Sequence, residues 1–164
     1  MLKVFLVEDE SVIREGFRDK IPWEQYGFQL VGEAGDGEMA LPMIRKLKPD
    51  LLITDIKMPF MDGLSLSEIV KEEFPKIKII IISGYDDFEY ARQAIKAGVD
   101  QYLLKPITRT TLRGVLLEMK EKIEQGMEQK DYQAQYQDEV QEFEQFSLRR
   151  FFEKILEGKL SVKE

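Results

Sequence analysis

The chain of 164 residues is 43% hydrophobic and 34% charged, the balance of a folded globular domain rather than of a disordered segment. It contains neither cysteine nor histidine, which excludes disulfides, thiolate and imidazole metal sites, and histidine-based catalysis. A net charge of -7 argues against direct nucleic-acid binding, which needs clustered Lys and Arg; it suits a protein that gathers carboxylates around a cation or offers an acidic face to a partner.

The apolar opening Met1–Val7 is too short for a signal peptide or a spanning helix, so a cytoplasmic protein without membrane association is expected. Lys3–Val7 reads as a first strand, and a helix is predicted from about Ser11 to Asp19. Gln29–Ala34 mixes Leu30 and Val31 with Glu33, as an edge strand does. Asp36-Gly37 then precedes a helical Met39–Leu47, and Pro49 prevents its continuation. Asp50–Thr54, built on Leu51-Leu52-Ile53, is a third strand. After Asp62-Gly63, the spacing of Leu64, Leu66, Ile69, Val70 and Phe74 predicts a helix closed by Pro75.

In Ile77–Ser83 the run Ile79-Ile80-Ile81-Ile82 is apolar without alternation and β-branched, as in a parallel strand covered on both faces. Asp86 and Glu89 form a capping-box-like pair ahead of Phe88, Ala91, Ala94 and Ile95, with Gly98 at the expected C-terminal cap. Asp100–Leu104 is the fifth strand, and Leu112, Leu116, Met119 and Ile123 give the last helix an apolar seam. Five strands alternating with five helices define an α/β class. Right-handed crossovers favour a flavodoxin-like, doubly wound parallel sheet of order 2-1-3-4-5 with a C-terminal helical extension. The domain is predicted over residues 1–124, followed by a helical arm over 125–164.

Functional groups in such a sheet gather beyond the carboxyl ends of the strands, near the switch point between strands 1 and 3. Glu8, Asp9 and Glu10 follow strand 1, Asp55 ends strand 3, Ser83 ends strand 4, and Lys105 follows strand 5. Carboxylates this close repel one another unless a cation sits among them, and Mg²⁺ suits a few carboxylates plus waters. With such an ion, Asp55 becomes a credible nucleophile toward phosphorus. Lys105 and the Ser83 hydroxyl would then steady two further phosphoryl oxygens.

Val7-Glu8-Asp9-Glu10, Ile53 through Pro59, Met61-Asp62-Gly63, Ile82-Ser83-Gly84 and Tyr102 through Pro106 together resemble the signature blocks of response-regulator receiver domains of two-component systems. The resemblance implies that Asp55 accepts a phosphoryl group from a sensor histidine kinase. It implies Mg²⁺ held by Asp9, Asp55 and the Lys57 backbone carbonyl, with Glu8 acting through water. Ser83 and Tyr102 would be the switch pair, and Lys105 the phosphate-sensing lysine, followed by a cis peptide bond to Pro106. A receiver of this kind catalyses only its own phosphorylation and dephosphorylation. Glu8 departs from the family's more usual Asp. Met58 offers no carboxamide or carboxylate to position an attacking water, so the phosphorylated form is not expected to be especially short-lived.

Ile21 through Phe28, together with Ser83 through Ala91, resemble the receivers joined to AraC-type helix-turn-helix regulators. Trp23 and Phe28 are expected to pack the loop against the sheet. The resemblance implies a DNA-binding region beyond this chain, which ends at Glu164, and so a part of a longer transcription regulator or a short form of one. The heptad seam fails at Gly126, Lys130, Gln133 and Gln137 and restarts at Tyr136, Val140, Phe143 and Phe146, which argues against a continuous coiled coil. The apolar residues from Phe143 to Leu156 need a cover, and dimerisation through the arm is expected.

Three rival readings weigh less. A metal-dependent aspartyl phosphatase wants a second carboxylate two positions after its nucleophile, where this chain has Lys57. A flavin or nucleotide binder wants a Gly-rich loop after strand 1, where this chain has Glu8-Asp9-Glu10. The third is a receiver that is never phosphorylated and serves only as an interaction module.

Overall fold

The computed structural model describes residues 1–84 and 88–127. The chain divides into two compact units, Met1–Ile123 and Glu124–Glu164, and the sheet lies in the first. Strands β1 (Leu2–Val7), β2 (Phe28–Ala34), β3 (Leu51–Asp55), β4 (Lys78–Ser83) and β5 (Gln101–Leu104) alternate with helices α1 (Ser11–Lys20), α2 (Gly37–Leu47), α3 (Gly63–Glu73) and α4 (Phe88–Lys96). A final helix, α5, occupies 109–127. All four strand pairings are parallel, in the order β2-β1-β3-β4-β5. Both the fold class and the strand order expected from the sequence are found.

Apart from Lys3 and Lys78 at their amino ends, the residues of the three inner strands are buried beneath helices on both faces. Phe5, Leu52, Ile79 and Ile81 pack with Ala40, Ile44, Leu66, Val70 and Ala94 of α2, α3 and α4. On the other face Val4, Leu6, Ile53 and Ile80 pack with Leu112, Leu116, Met119 and Ile123 of α5. Each fully buried aliphatic side chain contributes about 1.5–3 kcal/mol. Trp23, on a 3₁₀ turn over Trp23–Tyr26, and Phe28 join this second cluster. The Trp23 indole N–H donates to the Phe17 carbonyl at 3.0 Å. Their expected packing role is met.

Local signals set the element ends. The Asp36 side chain accepts from Met39 N at 2.8 Å, and Asp62 does the same from Ser65 N at 2.7 Å, satisfying otherwise orphaned helix amides. Gly98 takes φ +85° beyond α4. The N–H of Gly98 and that of Val99 return to the carbonyls of Ile95 and Ala94, a closure that favours glycine. α2 starts at Gly37, earlier than predicted, and contains Pro42. This proline sits on the exposed side, so the carbonyl left without its N–H partner faces solvent. The capping pair expected at Asp86 and the arm beyond 127 lie outside the described residues.

At the amino ends of the strands, charges are paired. Lys71 Nζ donates to the Ile77 carbonyl at 2.7 Å and to Asp100 at 3.1 Å. The same Asp100 oxygen accepts from Ile79 N at 2.8 Å. Asp50 likewise accepts from Lys3 N at 2.7 Å.

Leu116 is fully buried at the centre of the α5 contact. Leu116→Ala should lower unfolding free energy by about 2–5 kcal/mol, read as a lower urea midpoint with an unchanged denaturant slope.

Candidate functional site

The topology places the ends of β1 and β3 side by side, with Val7 registered against Thr54. Glu8 and Asp9 leave β1 exactly one peptide apart, and Asp55 is the last residue of β3. Carboxylate oxygens of Glu8, Asp9 and Asp55 lie within 4.8 Å of one another. Glu8 and Asp55 are buried and Asp9 is exposed. Glu10 is not in this group; it occupies the N-cap position of α1, where the start of the helix carries it out of the cluster. The sequence leads one to expect three or four carboxylates at this corner, and three are gathered there.

Lys105 approaches from the turn after β5. Its Nζ stands 3.1 Å from Asp55 and 3.5 Å from Glu8. The Lys105 N–H donates to the Ser83 carbonyl at 2.7 Å, and the Lys105–Pro106 peptide is cis. Asp55 uses its other oxygen to accept from Ile56 N at 2.8 Å. Ser83 is fully buried at the end of β4. Tyr102 is two residues back along β5 from the level of Ser83, opposite Ile81, and packs against the α2–α4 core. The structure therefore brings Glu8, Asp9, Asp55 and Lys105 into direct contact range, with Ser83 on the neighbouring strand and Tyr102 behind it.

The loop from Asp55 to α3 is tightly shaped. A Cβ on Gly63 would overlap the Asp55 carbonyl oxygen, so only glycine fits this approach. Phe60 stands exposed in that loop with φ +69°. Met58 is half-buried, with its sulfur 3.9 Å from the Thr54 hydroxyl. Lys57 sends its Nζ over the Tyr90 ring of α4, 5.5 Å from the centroid. That contact, and a bond from Arg14 to the Glu8 carbonyl at 2.7 Å, were not read from the sequence. For Arg14 a signal exists, since a long basic side chain one turn into a helix points back toward the preceding loop.

Burial, then the adjoining Asp55, pushes the Glu8 carboxyl from its ordinary 4.5 up to about 8, against the pull of Lys105. Burial alone would lower the Lys105 ammonium, yet its hydrogen bond to Asp55 and the charges of Glu8 and Asp55 hold it above the usual lysine value. Burial leads for Glu8, and the neighbouring carboxylates prevail for Lys105.

Residues 4–117 match the response regulator receiver domain family, and the chain belongs to that family: it carries a receiver domain of two-component signalling. Over 158 residues, 96% of its length, it is 35% identical to the uncharacterized transcriptional regulatory protein YesN of Bacillus subtilis, of which it covers 43%. The receiver domain of AraT, a response regulator from Geobacillus stearothermophilus, is 44% identical with a TM-score of 0.72, covering 77% of this chain and 98% of that one. A two-component transcriptional regulator AraC from Clostridium phytofermentans is 31% identical with a TM-score of 0.69, covering 79% and 99%. The chain spans less than half the length of the first curated relatives it matches, 45% and 43%. Among the described residues no helix is long and apolar enough to cross a membrane.

An unfolded chain releases the Glu8 proton near 4.5, whereas the folded domain keeps it until about 8. In chelator, stability should therefore fall as pH rises through that interval, because the native state binds the extra proton. Urea unfolding across the interval checks this, and Glu8→Gln should flatten the profile.

Proposed function

We propose that Asp55 is the phosphoacceptor of a transcription regulator, charged by a sensor histidine kinase in a Mg²⁺-dependent reaction. The observation that carries this reading is the convergence of three carboxylates and one ammonium at the ends of β1, β3 and β5. All three acidic groups are hard oxygen donors, which suits Mg²⁺. Asp9 and Asp55 would hold the ion with the Lys57 carbonyl, and Glu8 through a water. The bound ion would neutralise the carboxylates and the incoming phosphoryl charge.

The chain's own residues then divide the work. An Asp55 oxygen forms the new P–O bond as the P–N bond of the donor phosphohistidine breaks, and the imidazole leaves as the neutral base or takes a proton from solvent. Lys105 leaves Asp55 for a phosphoryl oxygen, and the Ser83 hydroxyl donates to another. Differential binding of the phosphoryl group to one conformer of Ser83 and Tyr102 shifts the population of the receiver. Met58 leaves hydrolysis without a side chain to aim water, so the acyl phosphate is not especially short-lived. Residues 1–124 would form the receiver and 125–164 a linker and dimerisation arm, with DNA contacted by a region outside this chain. A cytoplasmic location accords with this chemistry.

Treatment with a small phosphodonor and Mg²⁺ should add one phosphoryl group to the wild type and none to Asp55→Asn, read by intact mass. An undiminished adduct on the variant would refute the assignment. Light scattering should give a dimer mass for the full chain and a monomer mass after truncation near residue 124; equal monomer masses would remove the arm from the dimer contact.

A further inference from the structure

Arg14 lies one turn into α1, and its guanidinium reaches back beyond the helix start. Nη1 donates to the Glu8 carbonyl at 2.7 Å, while Nε stands 3.6 Å from Glu33 on β2. Arg18, one turn further on, reaches the same Glu33 oxygen at 3.1 Å. On its other side Glu8 donates its N–H to the Ala34 carbonyl at 3.0 Å. Both backbone groups of Glu8 are therefore held, one by β2 and one by Arg14.

The Glu8 carbonyl belongs to the rigid peptide plane that links Glu8 to Asp9. Its bond to Arg14 fixes the rotation of that plane, and so the direction in which the chain delivers Asp9. Asp9 is exposed, so packing does not fix it, in contrast to Glu8 and Asp55. Mg²⁺ demands near-ideal octahedral geometry at short distances, and a loose third carboxylate would lose affinity for it. From this geometry we infer that Arg14 is a positioning residue for the cation site, setting Asp9 through the Glu8–Asp9 peptide. Glu33 steadies the guanidinium in turn. The inference rests on the cation-dependent reading of the site given above.

The test uses the full chain and Mg²⁺ alone, with affinity read by calorimetry and the urea midpoint read in chelator. Arg14→Gln should weaken Mg²⁺ binding by about ten-fold, the scale of loss when a residue supporting a metal ligand is removed. Its midpoint in chelator should move little, whereas a mere strut between α1 and β2 would lower the midpoint and spare the affinity. Arg14→Lys should recover part of the affinity, because an ammonium also donates to the carbonyl. Arg18→Gln, which cuts only the second arm to Glu33, should bind Mg²⁺ as the wild type does. Wild-type affinity in Arg14→Gln would overturn the inference. Should that variant fail to fold, wild-type affinity in both Arg14→Lys and Glu33→Gln would overturn it, and a graded loss in both would support it. A wild type that binds no Mg²⁺ would instead refute the cation reading itself, and this inference with it.

Discussion

Glu8 and Asp55 are pressed together at the ends of two adjacent buried strands, and much of the domain's construction answers to that repulsion. Without a cation the domain relieves that repulsion by keeping the Glu8 proton up to about 8, so the full pair of charges forms only where a cation or a higher pH favours it. The pair persists because its backbone cannot yield. Val7 is registered to Thr54 and Asp55 to Ile82, and the strands carrying them are covered by helices on both faces. A softer framework would let the carboxylates swing apart into water. The hydrophobic layers thus hold an electrostatic arrangement that would not assemble by itself.

Features that depend on chain order were legible in the sequence. The isoleucine run of β4, the caps at Asp36 and Asp62, and the acidic, hydroxyl and basic residues after each strand are local patterns, and topology carries them to one place. Features that depend on the reach of a side chain were not. The bond from Arg14 to the Glu8 carbonyl and the stacking of Lys57 on Tyr90 join residues of ordinary surface type whose meeting is set by three-dimensional geometry. Whether Glu10 joins Glu8 and Asp9 was open in the sequence, which allowed three or four carboxylates, and the first turn of α1 decides it by separating Glu10 from them. The helix read over Met39–Leu47 already spans Pro42, and it forms because a proline in a helix is tolerated when the unpaired carbonyl faces water.

The loop after Asp55 is connected to two neighbours at once. Gly63 brings the start of α3 against the Asp55 carbonyl, and Lys57 rests on the Tyr90 ring of α4. The Asp55 backbone is thus in contact with α3, and the loop that follows it with α4. Tyr102 packs in the α2–α4 core, opposite Ile81 and two residues behind the level of Ser83. Under the proposed chemistry, such adjacency would give a phosphoryl group at Asp55 several contacts through which to favour one packing over another.

The pairing of Lys71 with Asp100, and of Asp50 with the Lys3 amide, gives the sheet a mechanical polarity. Its strands begin at closed charge pairs and end at a cluster of three carboxylates answered by the Lys105 ammonium. The pairs tie down the register at one end, and the excess of negative charge is confined to the other. One small sheet thereby separates its anchorage from its chemistry.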